Sequence, residues 1–138
     1  MRRTLCLVIA LALLVVLAGC GGKPTKTPES TTRAYITLMK AGKWQEAALL
    51  WDYDAQGRAG NSDWDTFSTS QRKLIVKESK WADEKAKSLE LWATHFAGDI
   101  RIETVETSGE KAHAVLDGKV TGLDLVKAGD EWLISGMN

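Results

Sequence analysis

The chain has 138 residues, 44% of them hydrophobic, with 18 Lys and Arg against 18 Asp and Glu and a formal net charge of zero with both histidines neutral. Such a balance excludes the basic patch or strongly basic domain by which nucleic-acid binding shows itself, so no nucleic-acid partner is expected. Only Cys6 and Cys20 are present; both precede the first globular pattern, which excludes a disulfide within the domain and leaves its core to hold by packing alone.

Residues 1–22 have the parts of an export signal: Arg2 and Arg3 at the start, an apolar run from Leu5 to Leu17, and small residues after it. The run is shorter than the roughly 20 apolar residues of a membrane-spanning helix. Its end, Leu17-Ala18-Gly19-Cys20, resembles the lipobox of bacterial lipoproteins in all four positions. That resemblance implies a diacylglyceryl group on the Cys20 thiol, cleavage just before it and acylation of the new amino terminus. Residues 1–19 are then a signal peptide, and the membrane is a partner through the N-terminal lipid. Two or more acyl chains anchor stably where one binds only reversibly. The alternative is a plain signal cut, with Cys20 merely one of the small residues near it. Without Arg2 and Arg3 the chain carries two more acidic than basic side chains. Gly21 follows the cysteine in place of the aspartate of an inner-membrane retention signal. In a host with two membranes, this implies the periplasmic face of the outer membrane.

Residues 20–30, "CGGKPTKTPES", hold no large apolar side chain and read as a flexible tether. Residues 31–138 are the length of one ordinary domain. Ser30 or Thr31 can cap a first helix with Ala34, Tyr35, Leu38 and Met39 on its apolar face, and Gly42 stops it. A second helix presents Trp44, Ala47, Ala48 and Trp51. Asp52 to Asp65 reads as a polar loop, because Gly57, Gly60 and Asn61 break helices. Helical spacing returns after it, with Trp81, Leu89, Trp92 and Phe96 on one face as far as Gly98. From Ile100 the period falls to two. A turn at Ser108-Gly109-Glu110 leads into a long strand through Ala112, Ala114, Leu116, Gly118 and Val120. Asp117-Gly118 is also a hairpin signal that would divide this strand in two; continuous alternation favours one. A last hairpin joins Leu123–Lys127 to Glu131–Ser135 through Ala128-Gly129-Asp130.

Helices followed by a meander of strands predict an α+β domain with the N-terminal helices packed on a curved antiparallel C-terminal sheet. Tyr35, Gly42, Trp44 and Ala47 in "TTRAYITLMKAGKWQEAA", and the Gly-containing turn before Trp132 and Ile134 in "LDLVKAGDEWLISGM", resemble both ends of the DUF4878-type lipoprotein domains of the NTF2-like superfamily. The resemblance implies an NTF2-like or cystatin-like cone. Members of that superfamily use the cone as an active site, as a small-ligand pocket, or as a surface for dimerisation or protein docking. It therefore admits a homodimer, an envelope protein or a small apolar ligand as partner. Fold alone does not choose among these.

An isomerase-like or hydrolase-like enzyme would use Tyr35 as donor to an oxyanion and Asp52 or Asp54 as base. Tyr35 at the centre of an amphipathic face is equally a core residue, and the two acids stand at a helix end where solvated carboxylates are common. No matching acids are found on the strands, and a non-catalytic binding or scaffold module is the preferred reading. His95 and His113 have no Cys or acid at ligand spacing, so neither a metal nor another cofactor is expected. Six tryptophans are the unusual feature. Periodicity puts Trp44, Trp51, Trp81, Trp92 and Trp132 in the core, and leaves Trp64, in the polar loop, as a contact residue or lid. The candidate pocket residues are Tyr35, Trp51, Trp64, Trp92 and Trp132.

Overall fold

Thr27, ahead of both expected capping residues, starts the first helix. Its hydroxyl accepts the Ser30 N–H at 3.1 Å while the Ser30 hydroxyl accepts the Thr27 N–H at 3.1 Å, and Pro28 supplies a first helical position that needs no N–H partner. The computed structural model describes residues 25–138. The expected signal peptide 1–19, the lipidation residue Cys20 and the first residues of the tether lie outside the described residues. The remainder of the expected tether is ordered, and Thr25 is only 3% exposed. The described fold thus includes residues 25–30, with α1 starting at Pro28.

Helix α1 (Pro28–Lys40) buries Thr31, Thr32, Tyr35, Ile36 and Met39. It stops where Gly42 takes a φ of 72°, a conformation open to glycine without steric cost. Helix α2 (Trp44–Ala48) is shorter than expected. The chain then leaves the helix so that Leu50–Asp52 can run beside the sheet. The expected polar loop contains helix α3 (Asp54–Gly60) and a 3₁₀ turn, Trp64–Thr66. Gly57 lies within α3, with the Trp64 indole in the space a side chain would need there. The next helical stretch is two helices, α4 (Thr69–Glu78) and α5 (Trp81–Leu91). Ser79 divides them: its backbone is extended, and its hydroxyl donates to the Val76 carbonyl at 2.9 Å and accepts the Trp81 N–H at 3.3 Å.

Strands β1 (Arg101–Ser108), β2 (Lys111–Asp117), β3 (Gly122–Ala128) and β4 (Glu131–Met137) form an antiparallel sheet in the order β1-β2-β3-β4. The long strand expected through Val120 ends at Asp117, and the chain bends through Gly118–Thr121 into the strand expected from Leu123, so neither one continuous strand nor a two-residue Asp117-Gly118 hairpin forms. Side chains on one face, including Ala114, Leu116, Leu123, Leu125, Trp132 and Ile134, meet Tyr35 and Met39 of α1 and Phe96 in the core. The protein is thus α+β, helices against an open four-stranded antiparallel sheet.

The free edge of β4 is covered by two pieces of non-strand backbone. Ile134 donates to the Leu50 carbonyl at 2.8 Å and its own carbonyl accepts the Asp52 N–H at 2.8 Å. Closer to the start of the strand, Trp132 donates to the Thr25 carbonyl at 2.7 Å. Strand edges left unpaired invite association, and this cover places Thr25 and Leu50–Asp52 side by side along β4. No helix among the described residues is long and apolar enough to cross a membrane.

Candidate functional site

The covered edge of β4 is also the back of a groove of about 800 Å³. Its walls come from α1, the chain following α2, α4 and the β3–β4 hairpin. Leu38, Leu49, Leu50, Trp51, Val76 and Leu133 supply the apolar lining. One end is closed where α4 meets the hairpin: Lys73 pairs with Glu131, and the Thr69 hydroxyl lies against Gly129. The volume falls within the roughly 300–1,000 Å³ typical of small-molecule sites.

Asp54 organises the floor. Its carboxylate accepts the Trp64 Nε1–H at 2.9 Å and the Arg72 Nη1–H at 3.3 Å, with Arg58 at 3.7 Å. Arg72 also donates to the Asp65 carbonyl at 3.2 Å and lies 5.6 Å above the Trp64 ring. These contacts hold an indole that is 1% exposed, seated on the bare backbone of Gly57 and packed edgewise by Phe67 and Trp81. Trp64 is therefore a pillar of the groove wall and not the lid expected from its polar neighbourhood. The neighbourhood is polar because Asp54, Asp65 and Arg72 satisfy one another around the ring.

Asp52 also lines the groove. Its Oδ1 accepts the Asp54 N–H at 3.0 Å, and burial raises its pKa above the ordinary carboxylate value. Trp51, on the same wall, has Lys85 Nζ 3.9 Å from its ring centre. Burial lowers the pKa of that lysine. Tyr53 donates to the Ala48 carbonyl at 2.8 Å, and burial holds its phenol far above the ordinary value. Three lining residues carry a buried polar atom without a hydrogen-bond partner among the described residues: Thr25 Oγ1, Trp51 Nε1 and Arg72 Nε.

Of the five pocket residues expected from sequence, Trp51 and Trp64 come together in this wall. Tyr35 and Trp132 lie in the core, with Tyr35 edge-on to Trp51 and Phe96. The Tyr35 hydroxyl meets Met137 Sδ at 3.8 Å, and burial raises its pKa strongly. Tyr35 is thus not a groove residue, whereas Asp52 and Asp54 are. Trp92, expected in the core, is 38% exposed and packs at a tilt of 46° against His95, beside Leu91 at 81%. The α-helix ends at Leu91 and a 3₁₀ turn follows, so the spacing from Leu89 to Phe96 no longer brings Trp92 to the inner face.

Sequence reasoning missed Leu38, Leu49, Leu50, Val76 and Leu133 as lining, because they converge only when α4 folds over the β4 edge. It also missed the partner of His113. Strand register places Asp124 opposite it, Nδ1 to Oδ1 at 2.7 Å, on the face of the sheet away from the core. Among the described residues no group of three or more metal-ligating side chains is assembled. In comparisons with family models, curated proteins and solved structures, no match to the chain was found.

Proposed function

We propose that this chain is a lipid-anchored cell-envelope protein whose NTF2-like domain binds a small apolar ligand in the groove beside β4. The single observation that carries the binding reading is an apolar-lined groove in which Trp64 packs on Gly57 and is hydrogen-bonded to Asp54, itself paired with Arg72. Pre-organised concavity with a few fixed polar groups is what small-ligand sites share. The lipobox-like "LAGC" at residues 17–20 supports the anchor. An NTF2-like assignment draws support from helices preceding an antiparallel sheet and from the sites of resemblance at its two ends, where Gly42 and Gly129 take φ values of 72° and 63°.

The isomerase-like alternative draws little support. Its donor, Tyr35, is fully buried with its hydroxyl at Met137 Sδ, while the candidate bases Asp52 and Asp54 line a different space. A proton-transfer pair has to converge on one substrate position.

Binding is tested with residues 20–138 carrying Cys20→Ser, made without the signal peptide and titrated with the neutral apolar dye Nile red. Saturable binding of one dye per chain is expected. It is lost in Leu49→Glu, a variant at a 43% exposed position where a charge leaves folding intact. Absence of saturable binding, or binding indifferent to Leu49→Glu and to Leu38→Glu, would overturn the groove as a ligand site. Intact mass of the protein from host membranes tests the anchor: a chain starting at Cys20 with added acyl mass is expected, and an unmodified chain contradicts it.

A further inference from the structure

The groove's charges are unevenly compensated. Arg72 is engaged by Asp54, and Lys73 by Glu131. The other two lining cations, Lys77 and Lys127, are exposed and have no carboxylate within 4.0 Å among the described residues. Of the lining acids, Glu46 is paired with Lys43, Asp54 with Arg72 and Glu131 with Lys73, and the Asp52 carboxylate accepts the Asp54 N–H. An apolar trough with two unpaired ammonium groups fits an amphiphile: an acyl chain against Leu38, Leu50, Val76 and Leu133, and an anionic headgroup at Lys77 and Lys127.

The entry of the chain says where such a molecule comes from. Thr25 lines the groove and is tied to β4 through its carbonyl. Cys20 lies five residues earlier in the sequence. At roughly 3.3–3.6 Å per residue, the span from Cys20 to Thr25 is at most about 18 Å. With Cys20 acylated, the wall containing Thr25 stays within that distance of the bilayer surface. We propose that the groove takes an anionic phospholipid from the bilayer that anchors the chain. This proposal rests on the anchored, groove-binding reading above.

The lipidated mature protein, residues 20–138, is placed in nanodiscs of equal parts phosphatidylglycerol and phosphatidylcholine, released in the gas phase, and its retained lipid identified by native mass spectrometry. One phosphatidylglycerol per chain is expected, in excess over phosphatidylcholine. The Lys77→Glu/Lys127→Glu double variant is expected to lose that preference by at least about tenfold. Leu49→Glu is expected to retain no lipid of either kind. No retained lipid, or the two lipids in equal amounts in parent and double variant, overturns the proposal. Equal loading of residues 20–138 carrying Cys20→Ser, made without the signal peptide and added to the same nanodiscs, overturns the part assigned to anchoring. If the Nile red titration succeeds while no lipid is retained, the groove reading stands and the lipid assignment alone falls; failure of both removes both.

Discussion

Gly57 and Trp64 show how one missing side chain shapes a site. A Cβ built at Gly57 would overlap the indole of Trp64, which is boxed in by Phe67, Trp81 and Arg72. Gly57→Ala should therefore destabilise the protein by about 1–3 kcal/mol, the usual cost of overpacking. Three residues on, a Cβ at Gly60 meets only Trp81 at 3.8 Å. Gly60→Ala should be neutral or stabilising by up to about 1 kcal/mol, through lost freedom of the unfolded chain. Urea unfolding midpoints of the two variants check this contrast, and equal midpoints would contradict it. Asp52 provides a pH test. Its folded pKa is raised by burial, so the native state keeps that proton to higher pH than the unfolded chain does. The associated stability is fully present below the ordinary carboxylate pKa and is lost as pH rises through the folded value. Asp52→Asn keeps an oxygen for the Asp54 N–H but cannot ionise. Thermal unfolding should show the variant more stable than the parent near neutrality, with the gap closing in acid; a gap independent of pH would contradict the assignment.

At the scale of elements, β4 behaves as an inner strand although only β3 pairs with it as a strand. The amides of Trp132 and Ile134 donate to Thr25 and Leu50, and that of Asp52 donates back to Ile134. Hydrogen exchange followed by NMR should find the Ile134 and Asp52 amides protected to a similar degree as the β2–β3 ladder. Fast exchange at both would mean that the cover, and with it the back of the groove, opens readily. What was legible in advance follows the range of the interactions. The sheet was readable because alternation and glycine turns are local: Gly109 and Gly129 fall at the expected hairpins. Helix α1 was readable from its face, though its start was not, since the Thr27–Ser30 box is as short and polar as a tether. Helix α3 was hidden because Gly57 reads as a breaker until the indole seven residues later is known to rest on it. The β2–β3 turn was misjudged because Val120, beyond the strand end, is still fully buried and keeps the alternation running.

For the whole molecule, the candidate site was the least legible feature. Trp51 could be singled out, and Trp64 was singled out for the opposite reason to the one that makes it matter. The aliphatic lining and the two uncompensated lysines gather only through tertiary placement of α4 against the hairpin, which no local period records. The central claim is that this groove, and not the exposed Leu91–Trp92 end of α5, accepts an acyl chain. It is tested most directly by titrating residues 20–138 carrying Cys20→Ser with lysophosphatidylglycerol brominated along its acyl chain, which quenches tryptophan only on close contact. The account predicts saturable quenching that falls sharply in Trp51→Phe and is unchanged in Trp92→Phe. Quenching that disappears with Trp92 and survives loss of Trp51 would place the acyl chain at the end of α5 and contradict it.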